Sequence, residues 1–435
     1  MKWRPDWPLI ALLAMVCGVA ACGNAAAADD WPQFRGPTGQ GLSTAHDVPL
    51  QWSATENVVW KQEVPGEGWS SPAVAAGRVY LTAAVAAEGG EAVAAKDLSL
   101  RALCFDAAAG KPIWNVEVFI EAAEDASKIH SKNGHASPTP LVDGDNIVVH
   151  FGHQGIACLN AAGKVLWRNR DLKYPPVHGN GGSPALVGER LIFSCDGSSD
   201  PFVAAVDRQT GDLLWKSPRA CDMVKKFAFS TPLAIKVNGK QQVISAGAGS
   251  VGGFDPATGR EIWRVRYDGY SVIPRPVFGH GLVYISTGYD APVVMAIRPD
   301  GEGDVTDTHV AWQLSKAAPN TPSLLLVDDE LYMVSDRGIA SCVDAKTGEV
   351  RWQQRIGGGY SASPVFADGR IYLLSEEGRG TVLAAGKKFE KLAENSIGER
   401  TLASYAIIDG GLFIRGDKHL YRIGETQVGV ERQRR

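Results

Sequence analysis

The sequence predicts an all-β fold, an eight-bladed β-propeller of four-stranded blades whose ring is closed by the N-terminal strand completing the last blade. Three observations predict it. Seven short strands end on a tryptophan, at Trp60, Trp114, Trp167, Trp215, Trp263, Trp312 and Trp352, with successive steps of 54, 53, 48, 48, 49 and 40 residues. A period of that length in an all-β pattern marks propeller blades. A second mark recurs between the tryptophans, a small or polar residue followed by a proline. The two ends of the chain are also complementary: one begins with a surplus strand and the other lacks one.

The chain opens on a targeting segment over residues 1–28. Lys2 and Arg4 precede an apolar run from Leu9 to Ala21, too short for a comfortable membrane span. Val19-Ala20-Ala21-Cys22 is similar to a bacterial lipobox, making Cys22 the candidate for lipidation, and Ala26-Ala27-Ala28 is an ordinary small-residue cleavage site. Either reading sends the mature protein out of the cytoplasm, to the periplasm or beyond, with the outer membrane as a possible anchor. Residues 29–425 are expected to form a single propeller and 426–435 a polar tail.

Within the propeller, Val58-Val59-Trp60 precedes any blade of its own. The blade-opening prolines are read as Pro72, Pro138, Pro184, Pro232, Pro276, Pro322 and Pro364, with Ser404-Tyr405-Ala406 opening an eighth unit without one. Each is followed by a β-rich run, from Val79-Tyr80-Leu81 to Leu412-Phe413-Ile414, bounded by Gly and Asp. The last unit ends near Arg422 with no tryptophan strand after it, so the strand at Trp60 is assigned to it. That closure removes exposed sheet edges.

The turn before the tryptophan has its own signature. Asp207 to Gly211 to Trp215, Asp255 to Gly259 to Trp263 and Asp344 to Gly348 to Trp352 share one spacing. Asp and Thr bond local backbone there, and Gly supplies positive φ. The tryptophans are read as docking blade to blade. Cys104, Cys158 and Cys342 sit two residues before the turn, where Ala205 and Gly253 stand in other repeats. A position shared by Cys, Ala and Gly is a tight buried one. Cys195 and Cys221 are a candidate disulfide pair in an oxidising compartment. Two insertions interrupt the period: Ala83 to Leu98, read as a surface loop, and Glu121 to Asn133, read as polar with room for a short helix.

Composition excludes some partners. The net charge is −4, with 44 basic and 48 acidic residues and no basic stripe for a phosphate backbone, so nucleic acid is not expected. His130, His135, His150, His153 and His178 crowd one stretch, but no carboxylate spacing or helix makes them converge on a metal. Gly247-Ala-Gly-Ser-Val-Gly252 matches a dinucleotide glycine pattern outside the βαβ setting that gives the pattern meaning.

The repeat Asp-x-x-Thr-Gly-x-x-x-Trp, with Ser-Pro or Thr-Pro opening the blades, resembles the pyrroloquinoline-quinone (PQQ) repeat family from Trp31 to about Arg422. The opening Asp30-Trp31-Pro32-Gln33-Phe34-Arg35-Gly36 is similar too. That family holds both BamB-type outer-membrane assembly lipoproteins, which bind protein partners without a cofactor, and quinoprotein dehydrogenases. The enzymes hold the quinone against adjacent cysteines and beside a calcium ion with carboxylate and amide ligands. No two cysteines are adjacent in this chain, and no such ligand set can be carried over. The resemblance therefore implies a non-enzymatic, extracytoplasmic scaffold, monomeric and without a cofactor, that binds an envelope or secreted protein or a ligand. The alternative is a quinoprotein dehydrogenase for alcohols or sugars, using PQQ with calcium.

The segments before the prolines belong to the innermost strands, so they are expected near the central channel. The candidates are Trp69, His135, Asn180, Phe229, Arg275, Asn320, Tyr360 and Tyr405, a ring suited to a planar ligand or an extended peptide. Arg275, between Pro274 and Pro276, implies an anionic group in front of it. No catalytic residue and no metal ligand is assigned.

Overall fold

The computed structural model describes Met1, residues 30–87 and residues 96–424. Residues 2–29, where a targeting segment with Cys22 is expected, and the tail from 425 lie outside the described residues. The rest forms eight antiparallel sheets of consecutive strands, the eight blades. Blade 1 runs through Ala73–Ala75, Arg78–Ala86, Leu98–Asp106 and Pro112–Glu121, and the order inside to outside follows the chain. Blade 8 is the exception that closes the ring. Its strands Ala406–Ile408, Gly411–Arg415 and His419–Gly424 are completed on the outside by Val58–Glu63, with Trp60 opposite Arg422. Blade 4 gains a fifth strand, Gly303–Asp304, laid parallel to Glu261–Arg266. The loop that replaces the usual turn before Trp312 supplies it.

The core is divided among the interfaces between blades. One apolar layer joins blades 1 and 2 through Tyr80, Leu100, Ile147 and Leu159; another joins blades 4 and 5 through Ile244, Trp263, Val283 and Ile297. Each layer needs the next blade at a fixed distance, and the tryptophans set it. The indole N–H of Trp60 donates to Ala107 O at 3.1 Å, Trp114 to Ala161 O at 3.0 Å and Trp167 to Arg208 O at 3.2 Å. Trp215 reaches Pro256 O, Trp312 reaches Ala345 O and Trp352 reaches Gly386 O. In every case the acceptor lies in the turn of the following blade. At Gly110, Gly163, Gly211, Gly259 and Gly348 the ring also lies over the turn glycine. A Cβ on Gly110, Gly211 or Gly259 would come within 2.6 Å of Trp60, Trp167 or Trp215.

Cross-strand register explains the small-residue position. Cys104 faces Trp114, Cys158 faces Trp167, Ala205 faces Trp215, Gly253 faces Trp263 and Cys342 faces Trp352. A bulky residue there would displace the indole. Burial pushes the thiols up, to about 12 for Cys104 and about 11 for Cys158, so they pack as small apolar groups. Trp263 docks through an intermediary. It donates to Gln242 Oε1 at 2.8 Å, and Gln242 Nε2 donates to Pro299 O in the loop of blade 5.

Three sequence expectations are corrected. The alanines after Ala83 extend a strand, so that Arg78–Ala86 pairs with Leu98–Asp106 along its whole length. Residues 88–95 lie outside the described residues. The insertion from Glu121 to Asn133 has no helix. A turn at Asp125 and a bridge from Ile129 to His178 take its backbone groups instead. Cys195 and Cys221 are free thiols, Cys195 being fully buried on the second strand of blade 3.

Residues 30–57 form a strap over the face that carries the first turn of each blade. Trp31 pairs with Val74 of blade 1, and Val142 N of blade 2 donates to Pro32 O. The chain then crosses the axis. Arg35 Nη2 donates to Leu324 O of blade 6 at 2.6 Å, Ser43 N to Phe366 O of blade 7, and Gly410 N of blade 8 to His46 O. The strap thus ties blades that are remote in the ring.

The tryptophan–glycine stack has a direct test. Gly211 has φ +77° and would place a Cβ 2.4 Å from Trp167, whereas Gly188 has φ +58° and open space. Gly188→Ala should cost about 1 kcal/mol from backbone strain alone. Gly211→Ala should cost about 2 kcal/mol more, because the indole must shift. Urea unfolding midpoints of the two variants measure the difference.

Candidate functional site

The axis of the ring is lined by the residue two positions before each innermost strand. In seven blades this residue is a hydroxyl: Ser71, Thr139, Ser183, Thr231, Ser323, Ser363 and Ser404. Each hydroxyl oxygen accepts a backbone N–H from the preceding blade. Ser404 N donates to Ser71 Oγ, Ser71 N to Thr139 Oγ1, Thr139 N to Ser183 Oγ and Ser183 N to Thr231 Oγ1, all at 2.9–3.0 Å. Arg275 N donates to Ser323 Oγ, Ser323 N to Ser363 Oγ and Ser363 N to Ser404 Oγ, again at 2.9–3.0 Å. The belt is interrupted once, where Arg275 replaces the hydroxyl. Ser230 Oγ bonds Pro274 O at 2.8 Å across that gap.

This belt corrects the phase of the blade openings. The residue after the hydroxyl needs no N–H, so proline fits there. It is Pro140 in blade 2, not Pro138, and in blade 6 Leu324 holds the place, not Pro322.

Above the belt is a cavity of about 280 Å³. Phe34 of the strap lines it, and the strap closes the axis on that side. The opposite side is a mouth built by the connections between blades. Trp69, Phe227, Phe229, Tyr270 and Tyr289 give it an aromatic wall. His130 and His178 meet edge to face at 5.6 Å, His178 meets Phe227 at 5.4 Å and Phe227 meets Tyr270 at 5.7 Å, forming one arc. Burial and the neighbouring His130 hold His178 below the ordinary histidine value.

The Glu121–Asn133 insertion overhangs this mouth. It is held on one side by Asn133 Nδ2 donating to His178 O at 2.9 Å. On the far side Lys132 pairs with Glu376 of blade 7 at 2.7 Å, and Arg400 Nη2 donates to Ser131 O. Ser361 Oγ holds the same Glu376 carboxylate at 2.6 Å, and the Arg400 guanidinium lies over the Trp69 ring. The result is a chamber with a fixed floor and a latched overhang.

Of the eight sequence candidates, Trp69 and Phe229 line this chamber. Arg275 does not present a cation to it. Its guanidinium is buried and spent on Phe34 O at 2.6 Å and Pro232 O at 2.9 Å, pinning the strap. Burial lowers its pKa to about 9, and burial together with the nearby Arg275 lowers Arg35 to the same value. His135 turns away to pair with buried Glu121 at 2.7 Å. Asn180 is tied to Phe151 O and Tyr174 OH, and the backbone of Asn320 to Asp336. Tyr360 is fully buried, and Tyr405 packs edge-on against Trp52 and Tyr372. His135, Asn180, Asn320 and Tyr360 lie three or four positions ahead of the axial residue, where the chain is still descending from the rim, whereas Arg275 holds the axial position itself and Tyr405 follows it by one. The signal that finds the axis is the hydroxyl that precedes the proline.

The histidine-rich stretch divides. His130 and His178 stand at the mouth, while His150 and His153 are buried in blade 2. Among the described residues no group of three or more His, Cys, Asp or Glu is placed to hold a metal ion. His150 Nδ1 donates to Gly182 O at 3.1 Å, which fixes its tautomer. Burial pushes this imidazole down to about 4, outweighing that bond.

A sequence profile of the family described as outer membrane protein assembly factor BamB matches residues 81–220, 199–327 and 304–388. No curated protein matches the chain by sequence. Among solved structures, BamB from Moraxella catarrhalis superposes with a TM-score of 0.55 at 14% identity, covering 85% of this chain and 98% of its own. A europium-containing methanol dehydrogenase gives a TM-score of 0.64 at 11% identity, covering 90% of this chain and 91% of its own. The quinohemoprotein alcohol dehydrogenase from Comamonas testosteroni gives 0.54 at 13% identity, covering 93% and 82%. Identities this low establish a shared fold and leave the chemistry to the site.

Two outcomes follow from the site. Glu376→Gln removes the charge from the latch, a partly exposed pair worth about 1 kcal/mol at most. Amide exchange across residues 129–133 should quicken up to about fivefold while global melting stays put. His150 has a folded pKa of about 4 against 6.5 unfolded, so the unfolded state takes up the proton first as the pH falls. Stability should decline from pH 6.5 to pH 4 by about 3 kcal/mol on its account. Chemical denaturation of His150→Gln across that range should show a flatter profile.

Proposed function

The chain belongs to the BamB-like family of PQQ-repeat propellers, and from that premise we propose that it is a non-enzymatic, extracytoplasmic scaffold whose axial chamber receives a ligand or partner. The observation that carries this is the chamber's construction. Among the described residues Phe34 closes its floor, so a ligand enters from the opposite mouth. Its wall offers hydroxyls and aromatic rings, groups that hold and orient a ligand. The belt hydroxyls are already fixed by backbone N–H groups, and among the described residues none of them is hydrogen-bonded to a base that would activate it as a nucleophile. A role in outer-membrane assembly accords with the family description, and the lipobox-like Val19-Ala20-Ala21-Cys22 would supply the anchor for it.

A second reading draws on the shared fold with the methanol and alcohol dehydrogenases. The residues present do not fit a calcium–quinone pair. Among the described residues the chamber wall includes no Asp or Glu, whereas calcium takes six to eight oxygens, several of them from carboxylates. The chain's isolated cysteines also provide no adjacent pair against which a quinone would lie.

Both readings can be tested on one preparation. With PQQ and calcium added, dye reduction by alcohols or sugars should stay at background, and turnover would replace the scaffold reading with the enzymatic one. A photocrosslinker at Lys132, on the mouth, should give a discrete adduct in envelope fractions that the same probe at Lys391, on the outer strand of blade 7, does not give. Identical products from the two positions would overturn the chamber as the binding face.

A further inference from the structure

We propose that the axial chamber binds the end of a neutral saccharide. This rests on the scaffold reading and names the ligand class of that same site. The first support is the state of the belt. Ser71, Thr139, Ser183, Ser323, Ser363 and Ser404 line the cavity, and each accepts one backbone N–H. Among the described residues none of these six hydroxyls donates its own proton to the protein. An N–H bonded to a hydroxyl oxygen polarises it and strengthens it as a donor. Six such O–H groups around one axis call for a ligand dense in acceptor oxygens. Each oxygen also keeps a lone pair, so it can accept in return. Sugar hydroxyls have this same double capacity on every carbon.

The second support is the wall above the belt. The rings of Trp69, Phe227, Phe229 and Tyr270 border the same cavity, with Arg400 over one face of Trp69 and Lys225 over one face of Tyr270. A pyranose ring carries apolar C–H faces, and these C–H groups are attracted to the negative face of an aromatic ring. Aromatic faces at the mouth with hydroxyls below suit a ring that stacks on one side and bonds around its edge.

Charge narrows the class. Lys132 is the charged residue of the wall, and its ammonium is held by Glu376 at 2.7 Å. On the rim Lys225 donates to Tyr270 OH at 2.7 Å, and Arg400 is committed to Ser131 O and the Trp69 face. An anionic ligand would compete with these partners for the cations, whereas a neutral one leaves them in place. The floor decides the mode of entry. With Phe34 and the strap across the axis a polymer cannot thread through, so only a free sugar or a chain end fits. A cavity of about 280 Å³ has room for one or two sugar rings.

The test is calorimetry on the full chain with glucose, N-acetylglucosamine, maltose and cellobiose, and with glucuronate as the charged control. At least one neutral sugar should bind, with glucuronate at least about tenfold weaker. Phe229→Ala should weaken binding about tenfold without moving the melting temperature much. In Ser183→Thr/Ser363→Thr each acceptor is kept, as the native Thr139 and Thr231 show the belt allows. Two methyl groups are added to the belt, and affinity should fall about fivefold. If no sugar binds, or if binding ignores both variants, the proposal is wrong. Partner adducts from Lys132 that persist without any sugar binding would leave the scaffold reading standing and remove the saccharide. Loss of both would remove both.

Discussion

Five of the eight blade junctions of this propeller are set by an indole ring lying on the turn glycine of the next blade. The stack fixes a distance, because glycine is the residue that lets Trp60, Trp167 or Trp215 approach the turn so closely. The indole N–H then fixes an orientation by bonding a carbonyl in the same turn. Neither contact is strong alone, since a hydrogen bond of this kind is worth about 1 kcal/mol. Repeated around the ring, they hold blade against blade at the spacing that lets the interblade layers close. The apolar layers then supply the larger share of the stability.

The inner edge of the ring obeys a second constraint. Short innermost strands converge on the axis with backbone N–H groups that have no strand partner on their inner side. A hydroxyl on the neighbouring blade takes each one. That solution spends the oxygen as acceptor and leaves the proton facing the axis, so the device that closes the ring also makes the chamber wall polar. Where Arg275 takes the hydroxyl's place, the side chain is used instead to hold the strap, through Phe34 O. The strap in turn turns an open channel into a closed chamber. The binding properties of the site are therefore consequences of how the ring is tied together.

Much of this was legible from residues alone. The tryptophan spacing gave the blades, and counting the ends gave the closing strand at Val58–Glu63. The Cys, Ala and Gly position was recognisable as a tight one, and its cause is the indole directly opposite. The site was read less well. Trp69 and Phe229 reach the chamber, but His135, Asn180, Arg275, Asn320, Tyr360 and Tyr405 do not line it. Proline is an imperfect marker of the axis, because the residue that reaches it is the hydroxyl, and in blade 6 the proline is displaced by two positions. The overhang from Glu121 to Asn133 was invisible as such, since Lys132 and Glu376 are 244 residues apart and no pattern links them.

By itself, the sequence determined what repeats: the fold class, the number of blades, the way the ring closes and the family. These depend on local rules applied again and again, a turn that needs positive φ, a small residue opposite a large one, a period of two along each strand. Tertiary structure alone decided what happens once. The passage of residues 30–57 across the axis, the burial of Arg275 beneath them and the latch between Lys132 and Glu376 each join segments far apart in the chain. A contact made a single time leaves no period behind it, and side chains are committed to such contacts only when the ring has brought their partners within reach.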